Sequence, residues 1–377
     1  MSFFIIVFIV HTIINAYIFY RGWRAFPKSP YVKVLYSAIF VIFYGSFAVM
    51  MLGRNHFPLE LQKIFYSLGT TWLAIMLYIT LYFVITDLIL LANKYIKFIP
   101  KTITSKTYRR IQVFSGYALV FAVLLIGNQK YNNPTIVQQD IVINKSGHNL
   151  KQLKAVAVSD IHLGINIDKG KLKKYVDIIN EQNPDIILIA GDLIDNNLRP
   201  LWEEKMYEEL NNLKAPLGTY MCLGNHEYLS GLNESLEFIK HTNITLLKDS
   251  AAHINNSFWI IGRDDKHNPE RLQLNQITDS IKATNDYNNQ PIILLDHQPY
   301  NLEQAEQSNI DLQFSGHTHH GQLWPLNLIV NKIYEVGHGY KQKGNTNIYV
   351  SSGLALWGPE FRVGTQSEVV VFNIRLN

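Results

Sequence analysis

The stretch PDIILIAGDLID, Pro184 to Asp195, is a short apolar run that stops on Gly191 and two carboxylates, Asp192 and Asp195. A compact apolar run bounded by turn residues reads as a strand buried on both faces. The same texture stands before it in LKAVAVSDIHLG (Leu153–Gly164) and after it in GTYMCLGNHEY (Gly218–Tyr228). Between them, Lys171–Asn183 places Leu172, Val176 and Ile179 on one helical face, and Glu203–Leu213 reads as a second helix. SFWIIGRDD (Ser257–Asp265), PIILLDHQP (Pro291–Pro299), IDLQFSGHTHHG (Ile310–Gly321), TNIYVSSG (Thr346–Gly353) and SEVVVFNIRL (Ser367–Leu376) continue the series. Thr135–Asn144 alternates like a strand with one packed face. Strands alternating with helices imply a layered α/β fold.

Several of these strands end in Asp, His or Asn, and ligands bind at the ends of parallel strands in such folds. Asp160 and His162 are two residues apart, as are His317 and His319, so each pair can project from a strand end into one site. Asp192 follows Gly191, Asn225 and His226 follow Gly224, and His297 closes its own strand. Mixed imidazole and carboxylate donors suit Mn, Zn, Fe or Ni; the single cysteine, Cys222, lies inside an apolar strand and reads as core. A carboxylate can bridge two cations, and Asp192 is placed to do so. Asp160, His162 and His319 then complete one site, and Asn225, His297 and His317 the other. Two cations about 3.5–4 Å apart clamp the attacking and leaving oxygens of a phosphoryl displacement and lower the pKa of a bridging water.

Five blocks stand in order over about 160 residues: Asp160-Ile161-His162, Gly191-Asp192-Leu193-Ile194-Asp195, Gly224-Asn225-His226-Glu227, a lone His297 after an apolar strand, and Gly316-His317-Thr318-His319. The series resembles the calcineurin-like metallophosphoesterase superfamily; GRDD (Gly262–Asp265) and HTHHGQLWP (His317–Pro325) resemble its branch of single-domain or membrane-anchored bacterial phosphoesterases, and apolar runs ahead of the domain match the membrane-bound members. The resemblance implies a four-layer αββα sandwich with a two-metal site at the strand ends. It also implies that His226 donates a proton to the leaving-group oxygen while Asp195 holds the imidazole. Phosphoprotein phosphatases of the superfamily follow G-D-x-x-D with Arg; Asn196 stands there, which argues against that subclass. Arg263 and His320 are candidate substrate contacts; the other reading of Arg263 is a structural ion pair, and for His320 a place at the rim is favoured over ligation.

The N-terminal third has another character. Ser2–Tyr20, Tyr31–Leu52, Thr70–Ala92 and Ile111–Gly127 are mostly apolar runs of about 17–23 residues, near the ~20 a helix needs to cross the hydrocarbon core. The first lacks the basic start and small-residue cleavage site of a signal peptide, so all four read as transmembrane helices. His11 and Asp87 fall within runs, and helix contacts are the expected role for both. Up to Arg110 there are 12 Lys and Arg against Glu60 and Asp87, while the remainder is net acidic. The basic charge sits between apolar runs, so nucleic-acid binding is not expected. It is concentrated in the first and third loops, which places those loops in the cytoplasm and the C-terminal part outside it. The expected organisation is a transmembrane domain over 1–131 and a metallophosphoesterase domain over 132–377. The expected function is hydrolysis of a phosphodiester, phosphomonoester or pyrophosphate, on a small molecule or a lipid-linked substrate, by a metal-bridging hydroxide. Membrane lipids are the other expected partners. The alternative is a membrane sensor with a regulatory metal-binding domain.

Overall fold

The computed structural model describes residues 2–53, 57–100, 105–147, 150–284 and 289–377. The chain forms two compact units, Met1–Gln129 with Gly358–Phe361, and Lys130–Trp357 with Arg362–Asn377. That division lies two residues before the 131/132 boundary expected from sequence and assigns one short late segment to the first unit.

The first unit is built on four helices, α1 (Ser2–Ala25), α2 (Pro30–Gly53), α3 (Leu59–Ile96) and α4 (Ser105–Asn132), each long and apolar enough to cross a membrane. Helix α3 has 38 residues and is about 57 Å long at 1.5 Å per residue, well beyond a hydrocarbon core. Its first turns carry Glu60, Gln62 and Lys63, which is why the apolar run Thr70–Ala92 understates it. It stops where Lys97 turns left-handed (φ 53°) and donates its N–H to the Asn93 carbonyl at 2.9 Å. Two polar groups inside the bundle, His11 and Asp87, meet other helices. His11 stacks on Tyr44 with ring centres 5.3 Å apart, and Asp87 accepts from Arg21 at 2.6 Å and from the Tyr17 hydroxyl at 2.8 Å.

Among its described residues the second unit contains twelve strands: β1 (Thr135–Ile143), β2 (Gln152–Val158), β3 (Ile186–Ala190), β4 (Thr219–Cys222), β5 (Ile244–Leu246), β6 (Ser250–Ile254), β7 (Phe258–Gly262), β8 (Ile292–Leu295), β9 (Leu312–Ser315), β10 (Gly339–Lys343), β11 (Thr346–Val350) and β12 (Glu368–Leu376). They make two mixed six-stranded sheets, ordered β1-β12-β2-β3-β4-β5 and β10-β11-β9-β8-β7-β6. The run β2 to β5 is parallel, and so is β7-β8-β9-β11.

Side-chain alternation along each strand divides the core into layers. In β2, Ala155 and Ala157 face the second sheet and Val156 and Val158 face helices. Small residues of the first sheet (Ala155, Ala157, Ala190, Cys222) share a core with Phe258, Phe314 and Tyr349 of the second. Small against large is how two twisted sheets interdigitate at close spacing. The outer face of the first sheet packs on Leu172, Val176 and Ile179 of helix Lys169–Glu181, and that of the second on Leu274, Ile277 and Ile281 of helix Leu274–Lys282. The result is the four-layer αββα sandwich. The helix expected over Glu203–Leu213 is instead two short helices, Arg199–Glu203 and Met206–Leu210, because Lys205 between them is left-handed (φ 50°).

Candidate metal centre

The parallel strands deliver the site. Asp160 and His162 follow β2, Asp192 follows β3, and Asn225 and His226 follow β4; His297 follows β8 and His317 follows β9. The first three segments come from one sheet and the last two from the other, so the site lies where the C-terminal edges of both sheets meet. These connections are sharply bent. Asp160, His162, Asp192, His317 and His319 all have left-handed backbones, with φ between 47° and 72°. Non-glycine residues in that region cost of order 1–3 kcal/mol each and persist only where their surroundings over-determine them. Here backbone bonds do so: Asp160 N–H donates to the Gly191 carbonyl at 3.1 Å and His162 N–H to the Asp192 carbonyl at 3.0 Å. Two glycines permit the approach. A Cβ on Gly191 would lie 2.7 Å from Gly224 N, and one on Gly224 would lie 2.2 Å from Asp192 Oδ1.

Among the described residues three groups of donor atoms result, each within 4.8 Å of one another: Asp160, His162 and His319; Asp192, His297 and His317; and His162, Asp195 and His226. In the first, Nε2 of His162 and His319 face each other at 3.3 Å, with Asp160 Oδ1 3.5 Å from His319. In the second, His297 Nε2 is 3.1 Å from Asp192 Oδ2, and Asn225 Oδ1 lies 3.2 Å from His297 Nε2 and 2.7 Å from His317 Nδ1. Asp192 Oδ2 is also 3.9 Å from His162 Nε2. One oxygen therefore stands between both groups, the position assigned to a bridge. All seven expected ligands, Asp160, His162, Asp192, Asn225, His297, His317 and His319, are in this assembly.

The protonation states suit cations. Burial holds His319 and His317 down to about 4, and His162 well below the usual imidazole range. These three rings are neutral at neutral pH, as ligands must be. His297 differs. Burial opposes its charge, but Asp192 wins and raises it to about 10. In turn burial would raise Asp192, yet the His297 imidazolium holds it well below the carboxylate range. The His297 Nδ1–H donates to the Ala190 carbonyl at 2.7 Å, which fixes the ring so that Nε2 points at Asp192. Three buried carboxylates, Asp160, Asp192 and Asp195, converge here. That charge pattern, with neutral imidazoles beside it, fits a pair of divalent cations.

His226 and Asp195 form the third feature. His226 Nδ1–H donates to Asp195 Oδ1 at 3.1 Å, and the His226 N–H donates to Asp192 Oδ1 at 2.8 Å. Burial disfavours the charged ring, but the bond to Asp195 and the charge of Asp192 raise it to about 9.

Other residues of the site gave little sequence signal. Glu227 is fully buried and accepts from the N–H groups of Gly224 (2.7 Å), Ile194 (3.0 Å) and Asp192 (3.1 Å), tying the β3 and β4 loops together. Its place in Gly224-Asn225-His226-Glu227 was the available signal. Arg362 is fully buried and donates to the carbonyls of Gly353 and Ala355, both at 2.8 Å, while Ala355 N–H donates to the Asp160 carbonyl. It braces the backbone behind Asp160, and nothing in GPEFRVG (Gly358–Gly364) announced a buried guanidinium. Arg263 is held by Asp296 at 3.4 Å and the Leu272 carbonyl at 2.8 Å, so of its two expected roles it takes the structural one. His320 stacks on His338 and belongs to none of the three donor groups.

Residues 153–321 match the family model of calcineurin-like phosphoesterases. An uncharacterised metallophosphoesterase of Campylobacter jejuni is 33% identical over 98% of this chain and 97% of its own length. The chain belongs to the calcineurin-like metallophosphoesterases. A Danio rerio relative, a transmembrane protein with metallophosphoesterase domain, is 29% identical over 92% of this chain and 82% of its own. Among solved structures, a purple acid phosphatase from yellow lupin aligns with this metallophosphoesterase at a TM-score of 0.38 and 13% identity, covering 62% of this chain and 55% of that one.

Proposed function

We propose that this metallophosphoesterase hydrolyses a phosphoric ester or pyrophosphate carried on an amphiphilic, lipid-linked molecule. The observation that carries the hydrolytic reading is the position of Asp192 Oδ2 between two donor groups, with the His226–Asp195 pair at their edge. Asp160, His162 and His319 would hold one cation and Asn225, His297 and His317 the other, with Asp192 shared. When bound, such a pair supplies an activated water and neutralises phosphoryl oxygens. The chain's own contribution is proton delivery. With Nδ1–H committed to Asp195, the protonated His226 presents Nε2–H to the leaving oxygen as its bond to phosphorus breaks. Asp195 keeps the ring oriented and stabilises its charge.

The rim supports an amphiphile. Trp357 is 49% exposed, and its ring centre is 6.3 Å from that of His226. Just after the His317–His319 loop, helix Leu326–Ile333 buries no residue and exposes Leu328 and Ile329 at 55% and Ile333 at 58%. An apolar border beside a charged cleft suits a phosphate attached to hydrocarbon. The basic first and third loops support an extracytoplasmic catalytic unit. A reporter active only in the cytoplasm, fused after Asn377, is then silent, and a bright one reverses the orientation.

The test is a screen of the detergent-purified full chain, loaded with Mn²⁺ or Zn²⁺, against p-nitrophenyl phosphate, bis-p-nitrophenyl phosphate and a polyprenyl pyrophosphate. Preference for the prenylated substrate is the expected result. Equal rates on soluble esters would remove the lipid-linked reading, and no turnover with any divalent metal would remove the hydrolytic one.

A further inference from the structure

The first unit contains a cavity of about 490 Å³ between the C-terminal ends of α1 and α3 and the N-terminal end of α4. Among the described residues, three guanidinium groups line it, those of Arg21, Arg24 and Arg109, and one carboxylate, Asp87. The charges do not cancel. Arg21 places its Nη1 on both Asp87 oxygens, at 2.6 and 2.8 Å, and its Nη2 donates to Gln112. Asp87 is thereby used up, since the Tyr17 hydroxyl donates to it as well. Arg24, among the described residues, donates to a neutral partner, the Tyr20 hydroxyl at 2.9 Å. Arg109 Nε is buried and has no hydrogen-bond partner among the described residues. Two positive charges are left beside a cavity whose other walls include Leu90, Ile99 and Val113.

An unpartnered guanidinium donor in a half-apolar cavity is costly unless an anion enters. Planar N–H forks match phosphate oxygens better than any other common anion donor does. The cavity belongs to helices long and apolar enough to lie in a bilayer, where anions attached to hydrocarbon are abundant. We propose that this cavity is a binding site for the phosphate of an anionic phospholipid head group, held by Arg24 and Arg109, with acyl chain along the apolar wall. Arg21, neutralised by Asp87, frames the site. It is independent of the metal centre, because no residue of the three metal-binding groups lines it.

The experiment uses the full chain, delipidated in detergent and titrated with dioleoyl phosphatidylglycerol, dioleoyl phosphatidylcholine and inorganic phosphate, with bound lipid counted by native mass spectrometry. The expected result is one tightly held phosphatidylglycerol, with phosphatidylcholine and inorganic phosphate each at least roughly tenfold weaker. The double variant Arg24→Gln/Arg109→Gln loses at least about tenfold in affinity, the loss of one charge-assisted bond. Lys28→Gln, outside the cavity lining, changes nothing. Arg109→Lys, which keeps the charge, gives partial recovery and guards against a misfolded double variant, as does an unchanged thermal melt. Equal binding of phosphatidylglycerol by wild type and a folded double variant would overturn the site. Inorganic phosphate binding as tightly as the lipid would overturn the lipid as its occupant.

Discussion

His226 commits one ring nitrogen to Asp195 and keeps the other for the cleft, so its removal touches proton delivery more than cation binding. His226→Ala is expected to slow turnover by about 10²–10⁴-fold, with metal content by elemental analysis near the wild-type value. Asp192→Ala is expected to lose both, because it removes the oxygen shared by the two donor groups. Normal metal occupancy in that variant contradicts the bridging role. The pH profile carries a sign. The acid form of His226 is the active one, so turnover falls as pH rises through its pKa. Against burial, Asp195 and Asp192 raise that value to about 9, and bound cations would lower it by repulsion. The alkaline limb disappears in His226→Ala. At this scale the sequence was informative where chemistry demands a particular side chain in a short motif, as at Asp160, His162, Asn225 and His319. It was silent on Arg362, whose partners are backbone carbonyls that any sequence supplies.

The elements place these residues by ending, and how they end matters as much as how they run. The strands β2, β3, β4, β8 and β9 were legible as apolar runs because they are buried on both faces. The short strands β5, β6 and β10 were not, being brief, partly exposed and polar in places. The left-handed turns after β2 and β3 were also invisible, since Asp and His carry no conformational signature comparable to glycine's. The glycines beside them do, and they can be tested. Gly224→Ala pushes a methyl against Asp192 Oδ1 while leaving a backbone conformation that alanine tolerates. The expected outcome is a folded protein by circular dichroism with reduced metal content. Activity should fall by about 10²-fold, the scale of loss for an ångström of misplacement. Full activity in that variant means that Asp192 need not stay where the structure holds it.

For the whole molecule, the sharp change from a basic apolar third to an acidic polar remainder marked the two kinds of structure before any element was assigned. The finer division was beyond the sequence, because Gly358–Phe361 joins the first unit from more than two hundred residues away. Metal uptake is also a property of the whole site. Because His297 is protonated against Asp192, a cation entering there must expel that proton. Affinity measured by competition with a chelator is therefore expected to rise with pH, by about tenfold per unit for one displaced proton. A pH-independent affinity contradicts the ion pair. The same pairing sets one acid against one base in a buried recess, so Asp192 has a charge partner before any cation arrives. Stripping with a chelator should leave the far-ultraviolet spectrum unchanged. The polypeptide would then fold first and take up its ions afterwards.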